Sequence, residues 1–270
     1  MRIIFRSKVM ERGLLTPLKQ LRRQVFVELA RVAFESNKDT IKDDIEAIPY
    51  KITPGDKPLY RESIWRERAI CSERVRLAMG LSLRPEDAPV HVTSGLSGSD
   101  IADKYYEPPL MQVIPSACAA CPPNKYQVTD NCRGCVAHPC TAVCPKQCIS
   151  VVNGRAVIDQ SRCIKCGKCK SVCPYDAIAH QLRPCAEACG VKAIESDDLG
   201  RAKINPDKCV SCGMCMVNCP FGAIADKSQF FQLIRAIRRG DNIVAEVAPS
   251  YVGQFGENAT PSKVKAALLE

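Results

Sequence analysis

Sixteen cysteines between Cys118 and Cys219 follow a spacing that repeats along the chain. In its regular form, three cysteines are each separated by two residues, and a fourth follows after three intervening residues, just before proline. Two copies are regular and a third has two extra residues before its third cysteine: Cys163-Ile-Lys-Cys166-Gly-Lys-Cys169-Lys-Ser-Val-Cys173-Pro174, Cys209-Val-Ser-Cys212-Gly-Met-Cys215-Met-Val-Asn-Cys219-Pro220 and Cys132-Arg-Gly-Cys135-Val-Ala-His-Pro-Cys140-Thr-Ala-Val-Cys144-Pro145. Such spacing is typical of 4Fe-4S proteins, where three thiolates of one turn bind one cluster and the fourth binds a neighbouring cluster. The pattern therefore predicts one-electron transfer.

A fourth, incomplete copy becomes visible when the ends of the motifs are aligned. Each end runs from a cysteine to an isoleucine five residues later, and the four ends are Cys144–Ile149, Cys173–Ile178, Cys189–Ile194 and Cys219–Ile224. The half-motif Pro184-Cys185-Ala-Glu-Ala-Cys189 matches the end of the third copy but lacks the first two cysteines. The unassigned pair Cys118-Ala-Ala-Cys121 supplies them if one two-cluster module is inserted into another.

This alignment assigns the sixteen cysteines to four predicted 4Fe-4S sites. Site 1 consists of Cys132, Cys135, Cys140 and Cys173, and site 2 of Cys163, Cys166, Cys169 and Cys144. Site 3 consists of Cys209, Cys212, Cys215 and Cys189, and site 4 of Cys118, Cys121, Cys185 and Cys219. Cys71 and Cys148 remain, and both are interpreted as buried structural thiols. Cys148 aligns with Ala177, Ala193 and Ala223 of the other copies.

The cysteines have two other interpretations, disulfides and zinc. Disulfides are disfavoured because the sequence has no signal peptide and because Cys-x2-Cys spacing suits metal binding. No apolar run is long enough to span a membrane, and we expect a cytoplasmic protein. Zinc is an alternative for Cys118-x2-Cys121-x10-Cys132-x2-Cys135, which has the spacing of a zinc ribbon. The zinc interpretation would leave the third motif incomplete.

The formal charge of +9 admits nucleic acid as a partner. However, a 4Fe-4S cluster with four thiolates carries a charge of about −2, so four clusters would nearly neutralise the chain. No basic stripe interleaved with aromatic residues is present, and we expect no nucleic-acid binding. The expected partner is a redox protein, such as a ferredoxin or a subunit of a partner oxidoreductase, attracted by the lysine and arginine side chains.

The chain is predicted to be α+β and to divide into four regions. Residues 1–82 form a helical extension, where Leu14, Leu18, Leu21, Val25, Leu29 and Val32 have near-helical spacing. A second helical run follows from Tyr60 to Leu81, and its Arg61–Arg76 segment is interpreted as a solvated face. Residues 83–117 are an irregular linker. Residues 118–227 form a ferredoxin-like cluster domain of two dicluster modules, with hairpins over Ile149–Asp159, around Asn153-Gly154, and Ile194–Asn205.

Two smaller expectations concern the remaining residues. Tyr175 and Phe221 follow the Cys-Pro steps at matching positions, where they either shield the clusters from water or pack in the core. Residues 228–270 contain an amphipathic helix over Ser228–Arg239, a buried strand over Asn242–Ala248 and a helix from Pro261 to Glu270. Because the chain ends inside this last helix, we expect a truncated domain.

The cluster motifs and two flanking regions together resemble iron-iron (FeFe) hydrogenases of the monomeric, ferredoxin-fused branch. The flanking residues that carry the resemblance are Ile243-Val-Ala-Glu-Val-Ala-Pro-Ser250, Thr260-Pro-Ser-Lys-Val-Lys-Ala-Ala-Leu-Leu269, Ile48-Pro-Tyr-Lys-Ile-Thr-Pro-Gly-Asp-Lys-Pro58 and Arg66-Glu-Arg-Ala-Ile70. The resemblance implies that residues 228–270 are the truncated start of an α/β catalytic domain and that the clusters carry electrons for reversible hydrogen oxidation. The cysteine motifs that hold the diiron centre in that family are absent, so we expect no hydrogen turnover from this chain alone.

Two alternatives remain for the function. The cysteine motif is also found in ferredoxin-like electron-transfer subunits of other oxidoreductases, such as formate dehydrogenase. A zinc-dependent structural or nucleic-acid-binding module is the alternative from a different class. A brown, iron-containing protein would exclude the zinc module, whereas a colourless protein with stoichiometric zinc would support it.

Overall fold

The computed structural model describes residues 16–99, 110–252, 255 and 258–269. Leu14, the first residue of the predicted apolar stripe, lies outside these ranges. Ten α-helices are present in the described ranges: α1 (Pro17–Glu35), α2 (Ile41–Ile52), α3 (Ile64–Ala78), α4 (Leu96–Ser99), α5 (Pro139–Ala142), α6 (Lys168–Ser171), α7 (Pro184–Glu187), α8 (Met214–Asn218), α9 (Phe230–Arg239) and α10 (Pro261–Leu269). None of them is long and apolar enough to span a bilayer.

The same described residues contain eight short strands. They are β1 (Met111–Val113), β2 (Asn124–Val128), β3 (Ile149–Val152), β4 (Arg155–Ile158), β5 (Ile178–Leu182), β6 (Ile194–Ser196), β7 (Ala202–Ile204) and β8 (Ile224–Asp226). The chain divides into two compact units, which are described separately. Described residues up to 99 and from 228 onward form a helical unit, and residues 110–227 form a cluster unit.

The helical unit packs around one apolar core. Helix α1 begins at Pro17, where the Thr16 side chain accepts a hydrogen bond from the Lys19 N–H at 3.3 Å. Proline at this position and a threonine cap are both typical helix starts. The predicted apolar stripe of α1 faces the core through Leu29, which packs with buried residues of α2, α3 and α9. The predicted helices in this region are thereby confirmed.

The prediction that Arg61–Arg76 forms a solvated face is wrong for the second half of α3. Arg74 and Arg76 are only 5% and 6% exposed. The Arg76 guanidinium donates hydrogen bonds at 2.9–3.1 Å to the backbone carbonyls of Ser82, His91, Val92 and Ser94. A buried cation is tolerated where its donors are satisfied, so the irregular segment after α3 wraps this side chain.

The buried strand predicted over Asn242–Ala248 is not formed. Residues 241–248 have no regular secondary structure and are exposed, with Val244 at 95%. A buried strand requires neighbouring strands that bond its backbone groups, and the described part of the helical unit contains none. The helices predicted on either side are present as α9 and α10.

The cluster unit consists of two similar arrangements, one nested within the other. The inner one pairs β2 with β5 and contains the hairpin β3–β4, while the outer one pairs β1 with β8 and contains the hairpin β6–β7. Both predicted hairpins are confirmed. In the first, Asn153 and Gly154 have φ values of 49° and 73°, as a two-residue hairpin turn of the mirror-image type requires.

Equivalent backbone hydrogen bonds relate the two arrangements. The Thr129 N–H donates to the Ala177 carbonyl at 2.8 Å, and the Ile114 N–H donates to the Ala223 carbonyl at 2.7 Å. Beside the hairpins, Asp159 N–H to Cys148 carbonyl and Asn205 N–H to Ala193 carbonyl are both 2.8 Å. The internal repeat inferred from the cysteines therefore extends to the backbone that carries them.

Truncation of Leu29 tests the core of the helical unit. Leu29 is fully buried, so Leu29→Ala should lower the free energy of unfolding of this unit by about 2–5 kcal/mol. Urea unfolding followed by circular dichroism of the whole chain measures the change. Val27→Ala is the control on the same helix, because Val27 is 46% exposed, and it should change stability by less than about 0.5 kcal/mol. Equal effects of the two variants would contradict the described packing.

Candidate metal centres

Each of the four motifs begins with the same backbone turn. The residue two positions after the first cysteine has a left-handed conformation, with φ of 48° at Ala120, 57° at Gly134, 58° at Lys165 and 54° at Ser211. This turn aims a backbone N–H at the preceding sulfur, and Lys165 and Ser211 each donate to it at 3.4 Å. The displaced pair Cys118 and Cys121 therefore has the turn of the complete motifs.

A second shared turn follows the remote cysteine of each motif. Three residues after it, φ is again positive: 45° at Gln147, 47° at Asp176, 52° at Lys192 and 60° at Gly222. The next residue donates its N–H to the cysteine sulfur at 3.4 Å for Cys173, 3.2 Å for Cys189 and 3.3 Å for Cys219. Left-handed turns of this kind concentrate N–H groups around an anion, here a thiolate.

Site 4 is assembled from three segments that are far apart in sequence. Its four cysteines line one pocket, which encloses about 330 Å³ including the part open to solvent: Cys118, Cys121, Cys185 and Cys219. The Ala202 N–H donates to the Cys118 sulfur at 3.4 Å. The structure thus brings together the four cysteines that the alignment assigned to this site.

Site 2 lines a second pocket of the same size. All four predicted residues contribute, namely Cys144, Cys163, Cys166 and Cys169. The pocket encloses about 330 Å³, again including open space, and Tyr126 and Ile158 form part of its apolar wall. The inner module therefore provides a concave space lined by the four predicted cysteines and by Cys148.

In sites 1 and 3, three of the four thiols lie close enough to influence one another electrostatically. Burial, and to a smaller extent the sulfurs of Cys135 and Cys173, raise the pKa of Cys140. In site 3, burial together with the sulfurs of Cys209 and Cys189 raises the pKa of Cys215. The remaining two residues of these sites are Cys132, which packs in the inner cluster core, and Cys212, which is exposed.

The pKa values of the thiols in these sites are shifted in opposite directions. Burial raises the pKa of Cys185 to about 11, with a further contribution from the Cys219 sulfur. By contrast, N–H donation from Ala156 and Gly134 lowers the pKa of Cys132. Burial thus disfavours the thiolate form of Cys185, whereas N–H donation favours the thiolate form of Cys132. Metal ions that bind the sulfurs would displace any remaining protons.

Both leftover cysteines are buried, as predicted, but Cys148 also lines the pocket of site 2. Cys71 is 1% exposed within the helical core, and burial raises its pKa to about 12. Cys148 packs in the inner core with its sulfur 3.4 Å from that of Cys144. Burial, reinforced by hydrogen bonding with Cys144, raises the Cys148 pKa to about 12.

The donor set fits a cubane cluster. Sulfurs border the pockets of sites 2 and 4, and backbone N–H groups point at sulfur in every motif. In the described ranges no three His, Cys, Asp or Glu side chains converge on a position for a single metal ion. In a cubane each thiolate binds a different iron, and this requires sulfurs spread around a pocket.

Core packing of Tyr175 and Phe221, one of the two predicted roles, is wrong. Tyr175 is 49% exposed and Phe221 is 40% exposed. Phe221 lines the pocket of site 4. The aromatic position after Cys-Pro is therefore not a core position, and in the outer module it borders a cysteine-lined pocket.

One residue of site 4 was not predicted from the sequence. Arg183 is 2% exposed and lines the same pocket as the four cysteines. It immediately precedes Pro184-Cys185, at the place that His138 occupies before Pro139-Cys140. Arg183 and His138 therefore differ in half-motifs that otherwise match, and this difference is a sequence signal for a special role of Arg183. Polarity alone, however, predicts an exposed arginine.

Comparisons with known proteins agree with this geometry. The sequence matches the Fer4 family, a 4Fe-4S binding domain, over residues 156–179 and again over 202–225. These ranges contain the contiguous cysteines of the two regular motifs. The chain also resembles a protein named Ferredoxin 7Fe from Hydrogenibacillus schlegelii, with 41% identity over 56 residues, which is 21% of this chain and 72% of that protein.

Two further relatives match over a smaller share of their length. Ferredoxin-1 of Caulobacter vibrioides is 43% identical over 53 residues, 20% of this chain and 47% of the relative. The electron transport protein HydN of Escherichia coli is 43% identical over 53 residues, 20% of this chain and 30% of the relative. The cluster unit thus contains ferredoxin domains that bind 4Fe-4S clusters. The chain belongs to the ferredoxin family of electron-transfer proteins.

Gly134 offers a direct test of the turn around site 1. A Cβ at this position would lie 2.0 Å from the Gly154 carbonyl oxygen, and φ is +57°. Gly134→Ala should therefore displace Cys132 and Cys135 and remove about four irons per chain, as measured by iron and acid-labile sulfide. Gly190→Ala is the matched control beside Cys189, because its Cβ would meet nothing within 4 Å. Unchanged iron in Gly134→Ala would contradict this role of the turn.

Proposed function

We propose that the chain is an electron-transfer protein with four 4Fe-4S clusters, held by sites 1 to 4. The observation that carries the proposal is the repetition of both left-handed turns in all four motifs, including the split one. When bound, the clusters would supply outer-sphere transfer of single electrons within a range of potentials of about −700 to +450 mV. No general acid or base is required for this chemistry, and none is assigned.

The residues of the chain have three tasks in this function. Sixteen thiolates hold the irons, and the turn amides donate hydrogen bonds that stabilise negative charge on sulfur. Apolar side chains such as Tyr126, Ile158 and Ile224 border the pockets and limit the access of water. Cys166 and Cys212 are exposed at equivalent positions, and a redox partner could approach sites 2 and 3 there.

We further propose that these clusters serve an oxidoreductase of the FeFe-hydrogenase type. The support is the resemblance of residues 48–58, 66–70, 243–250 and 260–269 to that family. Residues 243–247 are apolar at four of five positions yet exposed, and α10 has no buried residue, as expected if further protein covers this region. The second candidate is a ferredoxin-like electron carrier for another oxidoreductase such as formate dehydrogenase. Its support is the similarity of the chain to ferredoxins and to an electron transport protein.

The number of clusters is tested by metal analysis. Anaerobically purified protein should contain about sixteen irons and sixteen sulfides per chain, and Cys118→Ser/Cys121→Ser should contain about twelve. Cys148→Ala is the control, because alanine occupies the matching position in the other three copies, and it should retain all the iron. A wild-type content of about twelve or fewer, unchanged by the double substitution, would refute site 4. Stoichiometric zinc in colourless protein would refute the whole proposal.

The partner is tested by the source of electrons. Oxidised protein is incubated with a catalytic amount of an FeFe hydrogenase under hydrogen, or with formate dehydrogenase and formate, and bleaching of the visible absorbance is followed. We expect at least tenfold faster reduction with the hydrogenase, and no hydrogen uptake by the chain alone. Faster reduction with formate dehydrogenase and formate would instead favour the second candidate. The assignment of clusters to sites 1 to 4 would be unaffected.

A further inference from the structure

Arg183 is the most deeply buried cation in the described part of the cluster unit. At 2% exposure it donates four hydrogen bonds: Nε to the Cys121 carbonyl at 2.8 Å, one terminal nitrogen to the Glu195 carbonyl and Ser196 hydroxyl at 3.0 Å each, and the other to the Gly200 carbonyl at 2.8 Å. The side chain thus joins the Cys118–Cys121 segment to the β6–β7 hairpin.

The charge of Arg183 has no carboxylate among these four acceptors. Carbonyl and hydroxyl oxygens satisfy the donors of the guanidinium, but they leave its positive charge uncompensated. Burial of such a charge is costly unless an anion lies nearby. Arg183 lines the pocket of site 4, and a cluster bound there by four thiolates would carry about two negative charges. The bound cluster would therefore be the counter-ion of Arg183.

Sites 1 and 2 differ from site 4 in this respect. The lysines that line the pocket of site 2, Lys146, Lys165 and Lys168, are exposed. Arg155 near site 1 is 48% exposed and bonds Asp130 at 2.8 Å. Water screens exposed charges and a carboxylate offsets them, whereas a buried charge acts through a medium of low dielectric. Amide donors to sulfur occur in every motif, so they do not single out site 4.

The described part of this unit contains a second buried cation, Lys227. Lys227 is 8% exposed and follows β8, where its N–H donates to the Leu110 carbonyl. It is not among the residues that line the pocket of either site 2 or site 4 in the described structure. Of these two buried cations, Arg183 is therefore the one that lines a pocket with cysteines.

We propose that Arg183 raises the reduction potential of the cluster in site 4, so that this cluster is the first of the four to be reduced. Reduction adds one electron from a low-potential donor, such as a redox partner, and increases the negative charge of the cluster from about two to about three. A fixed positive charge stabilises the more negative state, so it favours reduction. The proposal rests on the four-cluster function proposed above.

The test is a reductive titration of the holoprotein monitored by electron paramagnetic resonance. The signal that appears first on lowering the potential should be missing from Cys118→Ser/Cys121→Ser, which identifies it as site 4. In Arg183→Gln that signal should appear only at lower potential, with the iron content still about sixteen. Arg183→Lys keeps a positive charge and should restore most of the shift.

Arg162→Gln is the matched control. Arg162 is exposed and donates to the Lys146 carbonyl at 3.0 Å beside site 2, so its loss should leave the first signal unchanged. A full complement of iron with unshifted potentials in Arg183→Gln would overturn the proposal.

An Arg183→Gln variant that loses iron also tests the proposal. If Arg183→Gln loses about four irons, the first-reduced signal should disappear with them, and its persistence would also overturn the proposal. If the wild-type protein itself holds only about twelve irons, the four-cluster function fails, irrespective of Arg183.

Discussion

The stabilisation of negatively charged sulfur is the constraint on which the cluster unit depends. Within the motifs, left-handed turns aim backbone N–H groups at sulfur, and non-glycine residues such as Ala120, Lys165 and Ser211 accept that conformation. Each such residue costs roughly 1–2 kcal/mol, so a favourable interaction with sulfur and bound metal must offset it. Helices of four or five residues and strands of three to five then suffice, because the sulfur sites rather than an extended apolar core organise the unit.

Much of this unit could be predicted from the sequence because its determinants are local. Cysteine spacing indicates ligand turns, and Asn153-Gly154 between apolar residues specifies a hairpin. The left-handed residues could not be predicted from residue type, since only Gly134 and Gly222 among the eight are glycines. Site 4 emerged only from aligning the copies, because its cysteines come from three separated segments. Arg183 was missed because its partners, from Cys121 to Gly200, lie up to 62 residues away.

Two of the wrong predictions have the same physical origin. The arginines of α3 were assigned to a solvated face by their polarity, yet carbonyl groups 6 to 18 residues further on surround the Arg76 guanidinium. The strand over Asn242–Ala248 was assigned by its apolar run, yet a strand exists only where another strand bonds it. In both cases the deciding partner is distant in sequence, and composition within a short window does not identify it.

The four sites also differ in how far apart in sequence the segments that form them lie. The β3–β4 hairpin and the motif that begins at Cys163 are local, whereas in site 4 the Ala202 N–H reaches a sulfur 84 residues earlier. Closing longer loops costs more entropy, although each doubling adds only about 0.6 kcal/mol. Site 4 also requires β1 to pair with β8, because these strands bring Cys118 and Cys219 to the same pocket. A cluster bound there would therefore join the beginning and the end of the unit. Metal binding to these four sulfurs would then stabilise the nested fold. The same four sulfurs would hold one cluster of the proposed electron-transfer chain.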